Sequence, residues 1–167
     1  MNQQSWNVLV RKLIKQGVLR SPKVINALQR VPRAATIAEI VAPSDTPIEK
    51  WGHVYTIERI PQLAAFAKAN IENAGYQDRI TVIHSDGTLG YSHEAPYDRI
   101  FVAAAGPKVP EPLVDQLKDG GVLLAPVGGA QVYQSLIRVK KQNGEVTKEN
   151  LGGVAFVPLI GKHGFEL

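Results

Sequence analysis

Apolar residues recur at helical spacing near the start of the chain and at strand spacing from about residue 53 onward. Trp6, Leu9, Val10, Leu13 and Ile14 lie on one face of a 3.6-residue repeat, which predicts an amphipathic helix ended by Gly17. Ser21-Pro22 then supplies an N-cap followed by proline at the first helical position, and Val24, Ile25, Leu28 and Val31 form the stripe of a second helix closed by Pro32. Residues 34–42, AATIAEIVA, read as a third short helix, and PSDTPIEKWGH as a turn-rich linker.

After the linker the period changes. GHVYTIE alternates and is rich in β-branched residues, so residues 53–58 are predicted as a strand. Pro61 opens a helix with Leu63, Phe66, Ala67, Ile71 and Ala74 on one face and Gly75 as its cap. RITVIH (79–84) is a strand, and DRIFVAAA (98–105) has the continuous apolar run of a central parallel strand buried on both faces. EPLVDQLKDGG (111–121) is predicted as a helix stopped by glycines, and VLLAPV (122–127) as another buried strand. Strand alternation then flanks Asn143-Gly144, a strong hairpin signal, and VAFVPL (154–159) reads as a last strand. Strands alternating with helices imply a parallel α/β sheet, and the closing hairpin puts antiparallel strands at one edge.

The 167 residues, 44% hydrophobic and 20% charged, fit one globular domain. Its parts are N-terminal helices over 1–33, an α/β core over 34–128 and antiparallel strands over 129–167. Without cysteine there is neither a disulfide framework nor a thiolate metal site. The N-terminus lacks an apolar signal-peptide core and no apolar run has membrane-spanning length, so a cytoplasmic location is expected. The net charge of +4 is uneven: Arg11, Lys12, Lys15, Arg20, Lys23, Arg30 and Arg33 occur with no acidic residue among the first 33. Such a cluster is either a solvated helix face or a positive rim for acidic partners. No nucleic-acid motif accompanies it.

Ligands of open α/β sheets sit beyond the carboxyl ends of the strands, which directs attention to the residues following each strand. Glu58 could accept hydrogen bonds from both hydroxyls of a ribose, or be a plain surface charge. Asp86 could accept from the exocyclic amine of a base, with Gly87 allowing close approach; equally, Asp-Gly is a common turn. Ala104, Ala105, Gly106 and Pro107 either keep a strand mouth open or pack closely against a helix. His53, His84, His93 and His163 have no metal-ligand spacing, so no metal is expected, and the late glycines do not open a helix as a phosphate cradle would.

In combination these segments say more. VYTIERIPQLAAFAKANIENAGY, SDGTLGYSHEAPYDRIFVAAAGPKVPEPLVDQLKDGGVLLAPVG and VAFVPLIGKHG, in this order, closely resemble the protein-L-isoaspartate O-methyltransferase family, and LIKQGVLRSPKVINALQRVPR resembles its N-terminal helices. The resemblance implies a three-layer Rossmann-like α/β fold, mostly parallel with an antiparallel C-terminal edge. It implies S-adenosylmethionine as methyl donor and isoaspartyl-containing proteins or peptides as acceptors. By the same match Glu58, with Arg59 beside it, holds the ribose; Asp86, with Gly87, contacts the adenine; and Ala104, Ala105 and Pro107 lie near the substrate. Ser85 stands where the family has glycine.

The departure is large. Val31-Pro32-Arg33 runs almost directly into ATIAEIVAP, the helix that should follow the family's glycine-rich donor loop. The first strand, that loop and the segment carrying the family's catalytic residue are absent, so no catalytic residue can be named. A sheet without its central first strand must re-pair, borrow a strand from a second copy as a homo-oligomer, or stay open. The alternative to an active enzyme is a truncated, non-catalytic family member unable to bind the donor.

Overall fold

The computed structural model describes residues 52–129 and 133–166, which form two compact units, one through His84 and one from Ser85. The helices expected over residues 1–42, and the basic cluster with them, lie outside the described residues.

The first unit is one β-α-β turn of chain: β1 (Val54–Glu58), α1 (Pro61–Asn73) and β2 (Ile80–His84). The strands are parallel, with Val54 opposite Ile80 and Glu58 opposite His84. Pro61 starts α1 where a backbone N–H would be unpaired anyway. The helix stops at Ala74 and Gly75, whose φ of +74° suits glycine. Ile71 and Ile80 are buried and pack with Val54, Ala74, Tyr76 and Val82. The expected apolar face is covered only in part. Ala64 and Ile71 are buried, whereas Leu63 and Phe66 are 49% and 62% exposed; among the described residues the two strands β1 and β2 cover only part of the stripe.

The second unit holds β3 (Tyr97–Phe101), α2 (Glu111–Asp115), β4 (Leu117–Gly128), β5 (Gln134–Gln142) and β6 (Glu145–Val154), in sheet order β3-β4-β5-β6. β3 and β4 are parallel and the remaining pairs antiparallel. Asn143 (φ 53°) and Gly144 (φ 79°) make the tight β5–β6 turn, as their sequence predicts. Val102, Val109, Leu113, Leu117, Leu123, Ala125 and Val139 form the core.

Three expectations need correction. The helix expected over 111–121 ends at Asp115, and β4 already begins at Leu117. The Gln116 carbonyl accepts the Tyr97 N–H at 2.8 Å, so pairing with β3 overrides the weak helical pattern there. The strand expected over 98–105 ends at Phe101; Asp98 and Arg99 are exposed and Phe101 is 50% exposed, the profile of an edge rather than a central strand. The strand expected over 154–159 is not formed: β6 ends at Val154, and over 155–159 a lone isolated bridge joins Pro158 to Ala105.

Among the described residues β1 pairs only with β2, and β3 bonds in its sheet only with β4. A doubly wound sheet runs in the order 3-2-1-4-5, so deleting its first strand leaves a 2-3 pair and a 4-5 group. The observed division is that pattern.

Replacing Leu123 or Val139, both 0% exposed, with alanine should cost roughly 1–5 kcal/mol in equilibrium urea unfolding, Leu123→Ala the more. Phe66→Ala, on the uncovered side of α1, should shift the same curve by about 0.5 kcal/mol or less.

Candidate functional site

Glu58 closes β1 and is half-buried. Its Oε1 accepts the Ile60 N–H at 2.8 Å. Ile60 is the N-cap residue of α1 and has no side-chain oxygen to cap with, so Glu58 supplies one from two residues upstream. A carboxylate there also opposes the positive end of the helix dipole. Oε2 accepts no hydrogen bond among the described residues. Arg59 is exposed, and its carbonyl oxygen lies 3.2 Å from His84 Nε2.

Asp86 follows β2 and caps the short 3-10 turn Gly87–Leu89. Its Oδ1 accepts the Thr88 N–H at 2.8 Å and the Thr88 hydroxyl at 2.7 Å. Its Oδ2 accepts the Lys162 N–H at 2.8 Å. The fully buried Thr88 in turn accepts the His163 N–H at 3.1 Å. Burial alone would raise the Asp86 pKa. The Lys162 N–H, the Thr88 hydroxyl and N–H, and the nearby His163 outweigh it and hold the carboxyl below its ordinary value. Gly87 is half-buried and its carbonyl accepts the Gly90 N–H at 3.3 Å.

The predicted substrate-side residues have different surroundings. Ala105 is fully buried; its N–H donates to Val157 and its carbonyl accepts from Leu159, each at 2.8 Å. Ala104 is half-buried and Pro107 exposed, so these two keep accessible surface. Glu58 and Asp86 belong to the first and second unit respectively.

Sequence reading missed the partners of Asp86. Thr88 was legible in principle, since Asp-Gly-Thr is a self-capping turn. Lys162 and His163, more than seventy residues away, left no signal beyond Gly161 and Gly164. Two glutamines act similarly as clamps. Gln116 Oε1 accepts the Tyr91 N–H and its Nε2 donates to the Leu89 carbonyl, both at 2.8 Å. Gln134, buried, accepts the Phe156 N–H at 2.7 Å and donates to the Phe156 carbonyl at 3.0 Å.

An ionised carboxylate offers about four acceptor positions. Among the described residues Glu58 uses one and Asp86 three. That leaves Glu58 able to take a pair of hydroxyls and Asp86 a single N–H. Among the described residues no group of three His, Asp or Glu could hold a metal ion. α1 and α2 open on Ile60-Pro61 and Pro110-Glu111, neither of them a glycine-rich cradle.

Because the folded-state pKa of Asp86 is depressed, its stabilising effect is complete above the unfolded value of about 4 and is lost as pH falls through the folded value. Wild type should therefore be more stable than Asp86→Asn at pH 6–7. The difference should shrink only below about pH 4, as read from urea unfolding repeated across that range.

Residues 44–164 match the family model described as protein-L-isoaspartate(D-aspartate) O-methyltransferase. A protein-L-isoaspartate O-methyltransferase of Hyperthermus butylicus is 53% identical over 132 residues, a stretch covering 79% of this chain and 55% of that protein. The chain thus spans about half the length of this relative. The Thermococcus onnurineus relative of the same name is 40% identical over 210 aligned positions, covering 96% of each. Since 96% of 167 residues is about 160, about 50 aligned positions have no counterpart in this chain. Among solved structures, a Plasmodium falciparum protein described as a complex with S-adenosyl-L-homocysteine aligns with a TM-score of 0.71 at 20% identity, over 93% of this chain and 98% of its own. A second protein-L-isoaspartate O-methyltransferase structure gives 0.73 at 19%, over 98% of this chain and 67% of its own, and the two share the α/β fold. With the family model spanning most of its length, the chain belongs to the protein-L-isoaspartate(D-aspartate) O-methyltransferase family.

Proposed function

We propose that the chain carries out S-adenosylmethionine-dependent methyl transfer to the α-carboxylate of isoaspartyl residues in damaged proteins, a repair activity of the cytoplasm. The observation that carries this reading is the family match over residues 44–164, a stretch with an acid at the end of β1 and another just after β2. Among the described residues no helix is long and apolar enough to cross a membrane.

Each acid keeps, within its own unit, acceptor positions for the role proposed for it. Glu58, with Arg59 beside it, would take the ribose hydroxyls, and Asp86, with Gly87, the adenine amine. No backbone cradle for the methionine end occurs among the described residues. Bound S-adenosylmethionine supplies an electrophilic methyl group. The acceptor carboxylate is already ionised at neutral pH and needs no strong base. The chain's own task is to orient the reactants and exclude water. Ala104 and Pro107 are the residues read as lying near the substrate that remain accessible, while Ala105 is fully buried.

A second reading, a non-catalytic family member, is favoured by one observation: the roughly 50 positions present in the Thermococcus relative and absent here. One assay separates the two. Incubating the chain with methyl-labelled donor and an isoaspartyl peptide should yield a base-labile methyl ester, and Glu58→Gln should lower the yield at least tenfold at sub-saturating donor. A folded sample that forms no ester and binds no S-adenosylhomocysteine at millimolar concentration would establish the second reading.

A further inference from the structure

The C-terminal segment after β6 closes into a tight loop. Phe165 N–H donates to the Leu159 carbonyl at 2.7 Å, Gly164 N–H to the Gly161 carbonyl at 2.9 Å, and Gly161 N–H to the Phe165 carbonyl at 3.3 Å. The loop is rooted on buried Ala105 through Val157 and Leu159. Its far side meets Asp86: Lys162 donates to Oδ2 and His163 to Thr88 Oγ1. The approach is so close that a Cβ on Gly161 would lie 2.1 Å from Asp86 Oδ1. Such a contact cannot be relieved cheaply, because the aspartate side chain is short and three donors already hold its oxygens.

We infer that residues 159–165 form a positioning loop for the donor's base, with Gly161, Lys162 and Thr88 fixing the Asp86 carboxylate so that one acceptor position, on Oδ2, stays available for an exocyclic amine. This rests on the reading of Asp86 as the adenine contact. It extends that reading to residues more than seventy positions away and gives the site its selectivity. An amino base presents an N–H to the remaining lone pair. A 6-oxo base presents a carbonyl oxygen, and two acceptors then face each other with no proton between them.

The test compares S-adenosylhomocysteine with S-inosylhomocysteine by calorimetry at pH 7. It is joined to an NMR pH titration of the Asp86 carboxyl carbon and the Lys162 and Thr88 amides. Wild type should bind the adenosyl compound roughly ten- to a hundredfold more tightly than the inosyl one. Gly161→Ala and Thr88→Val should lose most of that preference, by weakening the adenosyl compound alone, and Thr88→Ser should keep it. The Lys162 and Thr88 amides should titrate together with the Asp86 carboxyl. Folded variants that retain the wild-type preference would overturn the inference, as would amides that ignore the carboxyl. Thr88→Val and Thr88→Ser decide the matter if Gly161→Ala does not fold. Wild type that binds neither compound overturns the donor reading of Asp86 instead, and the amide titration alone then decides whether the loop holds the carboxylate.

Discussion

Backbone pairing governs this chain. A strand presents N–H and C=O groups along both edges, and each group buried without a partner costs free energy comparable to a lost hydrogen bond. The sequence places two parallel strands before Ser85 and a parallel pair plus a hairpin after it, with no described strand to join them. The result is a two-stranded and a four-stranded sheet, each with its own small core. Leu63 and Phe66 on α1 and Phe101 on β3 are exposed, and among the described residues no further element covers them.

Within the second unit a different economy holds. Few regular elements connect the turn after β2, the segment around Ala105 and the C-terminal loop, yet they are pinned by single polar side chains with several bonds each. Asp86 joins its own turn to Lys162, Gln116 holds residues 89–91, and Gln134 holds Phe156. A carboxylate fixed by three donors is well oriented but has little capacity left, which makes it a selective acceptor rather than a general one.

The elements that sequence made legible were those with local signals. Val54–Glu58, Ile80–His84, the helix at Pro61 and the Asn143-Gly144 turn depend on periodicity and turn chemistry held within a dozen residues. Residues 117–121 and the tail beyond Val154 depart from the expectation because tertiary pairing decides them: Leu117 joins a strand through Tyr97, and Pro158 meets Ala105 by a lone bridge. The two acids were visible as strand-end residues. That Asp86 spends most of its acceptors on Thr88 and Lys162 was not, since no local pattern links positions 86 and 162.

The central claim, that this family member lacks the strand that would join its two sheets, is tested most directly by amide hydrogen exchange resolved to single residues. Slow exchange is expected throughout β5, which is paired on both sides, and alternate fast-exchanging amides along β1 and β3, whose outer edges face no described strand. Uniformly slow exchange along β1 and β3 would mean that another strand pairs with them, and would contradict it.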